Sequence, residues 1–238
     1  MIKKYLAAFL CLVVGGSGLA QSRSNAKQQP VKQPREVLDA YQVCREFQTV
    51  LAENLDFDRA FEKTFVTDQA RRREVAIAEG EHGDGDLSQV DTATIVDIFK
   101  SQAQAFVLVL PLMFVGDEAK AALFTPSIEA ILEQKPPNDP QKLQPYSAQL
   151  KPDVKEFRAR FEKVAATNPD VAKNVQEYKK YLTRPLVPPN RIVKPFNAYS
   201  KGRVLGVNEK YYQIDDCAVI REGTQMKLVG YIFLKMRF

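Results

Sequence analysis

The sequence predicts an α+β fold, a mostly helical N-terminal body packed with a small C-terminal antiparallel sheet. Three observations predict it. Apolar residues recur at helical spacing through residues 36–182, prolines crowd residues 184–195, and residues 203–238 are β-rich. Helices followed by strands is the order of a segregated α+β layout. With 45% hydrophobic and 26% charged residues in 238, wholesale disorder and a multi-span membrane protein are excluded.

Residues 1–20 read as a secretory signal peptide. Lys3 and Lys4 supply the positive start, Tyr5 to Val14 the apolar run, and Gly18-Leu19-Ala20 the small residues of a cleavage site. The run is shorter than the roughly 20 residues that cross a bilayer, so no transmembrane span is expected after cleavage. Cys11 has no small residue before it, which argues against a lipoprotein anchor. Residues 21–35 read as a disordered basic leader, with Arg23, Lys27, Lys32 and Arg35, no acid, and much Gln, Ser and Pro. Losing Lys3 and Lys4 lowers the net charge from +5 to +3, so the mature chain is only mildly basic.

Residues 36–238 read as a single α+β domain. Its first helix begins near Glu36, with Val37, Tyr41, Cys44, Phe47, Leu51 and Leu55 on one face, and Phe57, Phe61 and Phe65 continue at spacings of four. Thr67 and Asp68 can cap a further helix that carries Arg71, Arg72 and Arg73. Residues 81–89 break the pattern. Asp91 or Thr92 then opens a strongly apolar helix that Pro111 kinks or ends. Thr125-Pro126-Ser127 restarts a helix through Ile128, Ile131 and Leu132, and a Pro-rich connector covers residues 135–144. Two amphipathic helices follow, each opening on Pro-Asp-Val, at Pro152 and at Pro169, because proline and an acid both suit a first helical turn.

The strands come last. Tyr211, Tyr212 and Ile214 lead to a turn at Asp215-Asp216, Cys217 to Arg221 forms a strand, and Glu222-Gly223-Thr224 turns into a final strand from Met226 to Phe238. Gly206-Val207 is a candidate for one more strand. The closing strand superficially matches the end of an outer-membrane barrel, but the helices leave too few strands to close one.

Chemistry-bearing motifs are sparse. Asp84, Asp86, Ser88 and Asp91 are oxygen ligands of the kind calcium takes, and Asp84, Asp86 and Asp91 are the candidate metal residues. The EF-hand spacing fails, however, because Gln89 and Ile95 stand where Gly and Glu belong. His82 is the only histidine, so any serine–histidine or cysteine–histidine mechanism would have to use it, and no nucleophile motif surrounds it. No catalytic residue, metal or cofactor is therefore assigned. Arg71, Arg72 and Arg73 fan around a helix rather than forming one patch, and export argues against nucleic acid as a partner. Cys44 and Cys217 survive signal cleavage and meet an oxidising compartment, where they either pair as a disulfide or stay as two buried thiols.

The function expected from these features is that of an exported, non-catalytic protein of the bacterial envelope, periplasmic or secreted. It would bind a small apolar ligand or an envelope protein, and a groove between helical body and sheet would favour this. The alternative is a carboxylate-dependent hydrolase acting on an envelope polymer, which needs two acids in opposed environments. A third reading is an envelope-assembly component that depends on the basic leader.

Overall fold

A computed structural model describes residues 34–65, 90–113, 115–133, 137, 139–186 and the strand segments 195–196, 199–200, 203–204, 211–214 and 217–231. Helix α1 (Arg35–Asn54) carries the anticipated stripe, with Val37, Ala40, Cys44, Phe47 and Leu51 all buried. Phe57, Phe61 and Phe65 do not prolong it. Leu55 takes a left-handed conformation at φ 52°, and Asp56 starts a new helix, α2 (Phe57–Thr64), by accepting from the Arg59 N–H at 3.2 Å. A left-handed leucine is strained, and its burial at 1% exposure holds it there.

Helix α3 (Thr92–Val109) is capped by Asp91, one of the two openings the sequence offers, and a 3-10 turn at Leu110–Leu112 ends it around Pro111. Pro111 has no N–H to continue the α-helical ladder. The stretch Thr92–Leu112 is long and apolar enough to cross a membrane by length and composition, and 67% of that window is buried inside the protein. Helix α4 (Asp117–Leu123) has no counterpart in the sequence reading, whereas α5 (Pro126–Glu133) does.

The largest departure is α6 (Pro140–Thr167), a helix of 28 residues with Pro145 and Pro152 inside it. Pro152 does not open a helix, and residues 140–144 belong to a helix rather than a connector. Both prolines lie seven residues apart on the exposed face, opposite buried Leu143, Ser147, Leu150, Val154, Phe157 and Phe161. The carbonyls they leave without a helical donor are thus on the solvent side, where the loss is smallest. Helix α7 (Pro169–Leu182) begins as expected: Asn168 accepts from the N–H groups of Asp170 and Val171 at 3.0 and 3.2 Å.

Strands β1 (Pro195–Phe196), β2 (Tyr199–Ser200), β3 (Arg203–Val204), β4 (Tyr211–Ile214), β5 (Cys217–Glu222) and β6 (Gln225–Tyr231) follow. An antiparallel sheet has the order β1-β4-β5-β6, and β2 and β3 form a separate two-stranded ribbon. Tyr212 faces Val219, which faces Leu228, so these three share a row across the sheet. Between Ala218 and Val219 the register shifts, leaving Val229 of β6 unopposed, a bulge that bends β6 against β5. The α+β class is therefore the observed one. The sequence expectations for residues 1–33, Thr67 and Asp68, Arg71–Arg73, residues 206–207, the Asp215-Asp216 turn and the run from Ile232 to Phe238 lie outside the described residues, whereas Arg35, expected at the end of a disordered leader, is the first residue of α1.

Helix α1 joins the two halves. It packs against α2, α7 and strands β4, β5 and β6, while α3 lies along α6. One buried cluster takes in both the helices and the sheet residues Tyr212, Ile214, Cys217, Val219, Met226 and Leu228. Polar ties fix the junction: the Tyr212 hydroxyl donates to the Glu36 carboxylate, and Arg221 pairs with Glu36 at 3.0 Å. Burial first, and then this hydrogen bond, pushes the Tyr212 phenol up to about 12. A raised phenol stabilises the fold fully below its unfolded value of about 10, and that share is lost as pH climbs through the folded value. Phenolate absorbance should therefore show a Tyr212 contribution that is missing in Tyr212→Phe and titrates near pH 12, with helical circular dichroism falling over the same window. Titration of that contribution at an ordinary phenol value would overturn the assignment.

Candidate functional site

A groove of about 440 Å³ opens where the helical body meets the sheet. One wall is the flank of α1 with Asp39, Gln42, Val43 and Glu46, and the end of α2 with Lys63 and Thr64. The other wall is the β5–β6 hairpin, through Thr224, Gln225, Met226 and Lys227. The hairpin tip stands there because Gly223 takes φ 60° and makes a two-residue turn with Thr224, while Glu222 and Gln225 pair beneath it. A positive φ at the first central residue matches a type II′ turn, whose twist suits paired strands.

The groove floor is buried and its rim is polar. Met226 and Thr64 are buried, and the Thr64 hydroxyl donates to the Ala60 carbonyl at 2.7 Å, which fixes its methyl group. Lys63 and Glu46 pair across the helix wall at 3.0 Å, and both are partly solvated. Such a surface suits a polar or amphipathic chain better than a fully apolar small molecule, since it encloses little and offers few apolar contacts.

A second groove, of about 380 Å³, lies between α6, α7 and the corner joining α1 to α2, lined in part by Asn54, Leu55, Phe161 and Val175. Its cations are committed to the corner. Arg158 donates to the carbonyls of Asn54 and Leu55 at 2.8 and 3.2 Å, and Lys179 donates to the Glu53 carbonyl at 2.8 Å. These are the carbonyls that a helix end leaves without partners, at the negative end of its dipole. From the other side, buried Gln104 donates to the Leu55 carbonyl at 2.8 Å and accepts from the Phe57 N–H at 2.6 Å. Arg45 of α1 reciprocates at the far end of α7, donating to the carbonyls of Thr183 and Arg184 at 3.3 and 3.0 Å.

Acids gather on one face around Asp58. Crowding by neighbouring atoms raises its carboxyl pKa, with the charges of Asp56, Glu62 and Asp97 adding to the rise and Lys100 opposing it. The Asp58 side chain is nonetheless exposed, so water screens these effects. Glu62 is paired with Lys100 at 2.6 Å and Asp97 with Lys151 at 2.5 Å. None of these acids lines either groove.

The residues singled out in the sequence are dispersed. Asp91 is a helix cap whose carboxylate accepts from the Thr94 hydroxyl at 2.6 Å and the Thr94 N–H at 2.8 Å, bonds that lower its pKa. Asp84, Asp86, Ser88 and His82 lie outside the described residues. Among the described residues, no group of three or more His, Cys, Asp or Glu is placed to hold a metal ion. Cys44 in α1 and Cys217 at the start of β5 are both fully buried, and both are thiols in the structure. Among the described residues, the Tyr178 hydroxyl is buried without a hydrogen-bond partner, and burial pushes its ionisation upward. The sequence analysis assigns no role to the groove residues Asp39, Gln42, Glu46 and Lys63, because polar residues on a helix carry no local mark of a groove. No protein-family model, curated protein or solved structure matches this chain.

Proposed function

We propose that this chain is an exported, non-catalytic protein of the bacterial envelope that binds a protein partner through the groove between α1, α2 and the β5–β6 hairpin. The supporting observation is the groove itself: an open polar-rimmed cleft at the junction of helices and sheet. A rim of unlike charges above a small apolar floor fits a polypeptide segment. Export rests on the composition of residues 1–20.

Two measurements test the reading. The mature N-terminus should be Gln21, recovered from the envelope fraction; a chain found intact in the cytosol overturns export. Crosslinking in cells should join the wild-type protein to a defined envelope partner. The double variant Gln42→Arg, Thr224→Arg should lose that product, and Lys155→Glu, on an exposed position outside both grooves, should keep it. A product that survives the double variant overturns the groove as the binding surface.

The second reading, a carboxylate-dependent hydrolase acting on an envelope polymer, draws on the raised Asp58 beside the ion-paired Glu62 and Asp97. It requires turnover of peptidoglycan or polysaccharide that Asp58→Asn abolishes. Turnover unchanged by that substitution would remove its support.

A further inference from the structure

We draw no further inference here: the strongest candidate, the outer edge of β6 beside the groove, where a single bridge from Phe65 to Leu228 is the described contact, carries nothing because nothing in the structure says what covers it.

Discussion

Replacing Phe57 with alanine should destabilise the protein by about 3–5 kcal/mol, lowering its melting temperature by roughly 6–20 °C. Phe57 is completely buried and lies at the centre of an aromatic cluster. Its ring centroid is 5.6 Å from Phe99, 5.9 Å from Phe65, 6.0 Å from Phe61 and 6.1 Å from Phe47. The contacts to Phe47, Phe65 and Phe99 are edge-on, the arrangement in which aromatic pairs gain beyond their buried area. These rings come from α1, from α2 and the residue that follows it, and from α3, so a cavity here loosens three helices together. Phe57→Leu keeps most of the apolar volume and should cost only about 1–2 kcal/mol. Chemical denaturation checks both. A negligible loss for Phe57→Leu would mean that the ring contacts contribute little beyond bulk, whereas equal losses for the two variants would mean that the ring itself, not apolar volume, carries the effect.

The second large effect is expected at Gln104. This side chain is 4% exposed and bonds both sides of the α1–α2 corner. Gln104→Leu preserves size but takes the Gln104 acceptor away from the Phe57 N–H in the interior, while the Leu55 carbonyl keeps Arg158. A buried donor left unsatisfied costs about 1–3 kcal/mol, and losing the second bond adds about 1 kcal/mol. The total of roughly 2–4 kcal/mol should appear in equilibrium unfolding. Gln104→Glu is the sharper control. Its carboxylate still accepts from Phe57 but turns an oxygen toward the Leu55 carbonyl, so a near-isosteric change should also destabilise. A Gln104→Glu variant whose stability matches the wild type and does not change with pH would show that the donor half of the clamp is dispensable. Because Gln104 holds the backbone of Phe57, the double variant Phe57→Ala, Gln104→Leu should lose less than the two single losses added together.

Local patterns in the chain were legible where one element decides its own form. The spacing from Val37 to Leu51 marks α1, Asp91 marks the start of α3, and the β pattern after residue 210 marks the sheet. Pro152 misled because the rule that prolines open helices is local, whereas α6 tolerates two prolines through their position on its solvent face. Phe57 to Phe65 looked like a continuation of α1 because Leu55 gives no compositional sign of a left-handed turn; its conformation is imposed by burial and by the donors that meet its carbonyl. Gln104 carried a faint signal, a polar residue just before the apolar run from Ala105 to Leu110, but its partners lie 47 and 49 residues away. The groove left still less trace. It is made by α1 and a hairpin far apart in the chain, and each wall alone reads as an ordinary surface.

The ties of α1 bear on the order of assembly. Glu36 is held by a tyrosine 176 residues downstream, and Arg45 reaches carbonyls 138 and 139 residues away. A ribosome delivers the amino end first, so the inner side of this helix has no sheet to rest on until Tyr212 and its neighbours have been made. Structures closed by such distant pairings form late and slowly. Through that interval the side of α1 that meets β4, β5 and β6 stays open to proteases and chaperones, and arrival of the last strands ends its exposure.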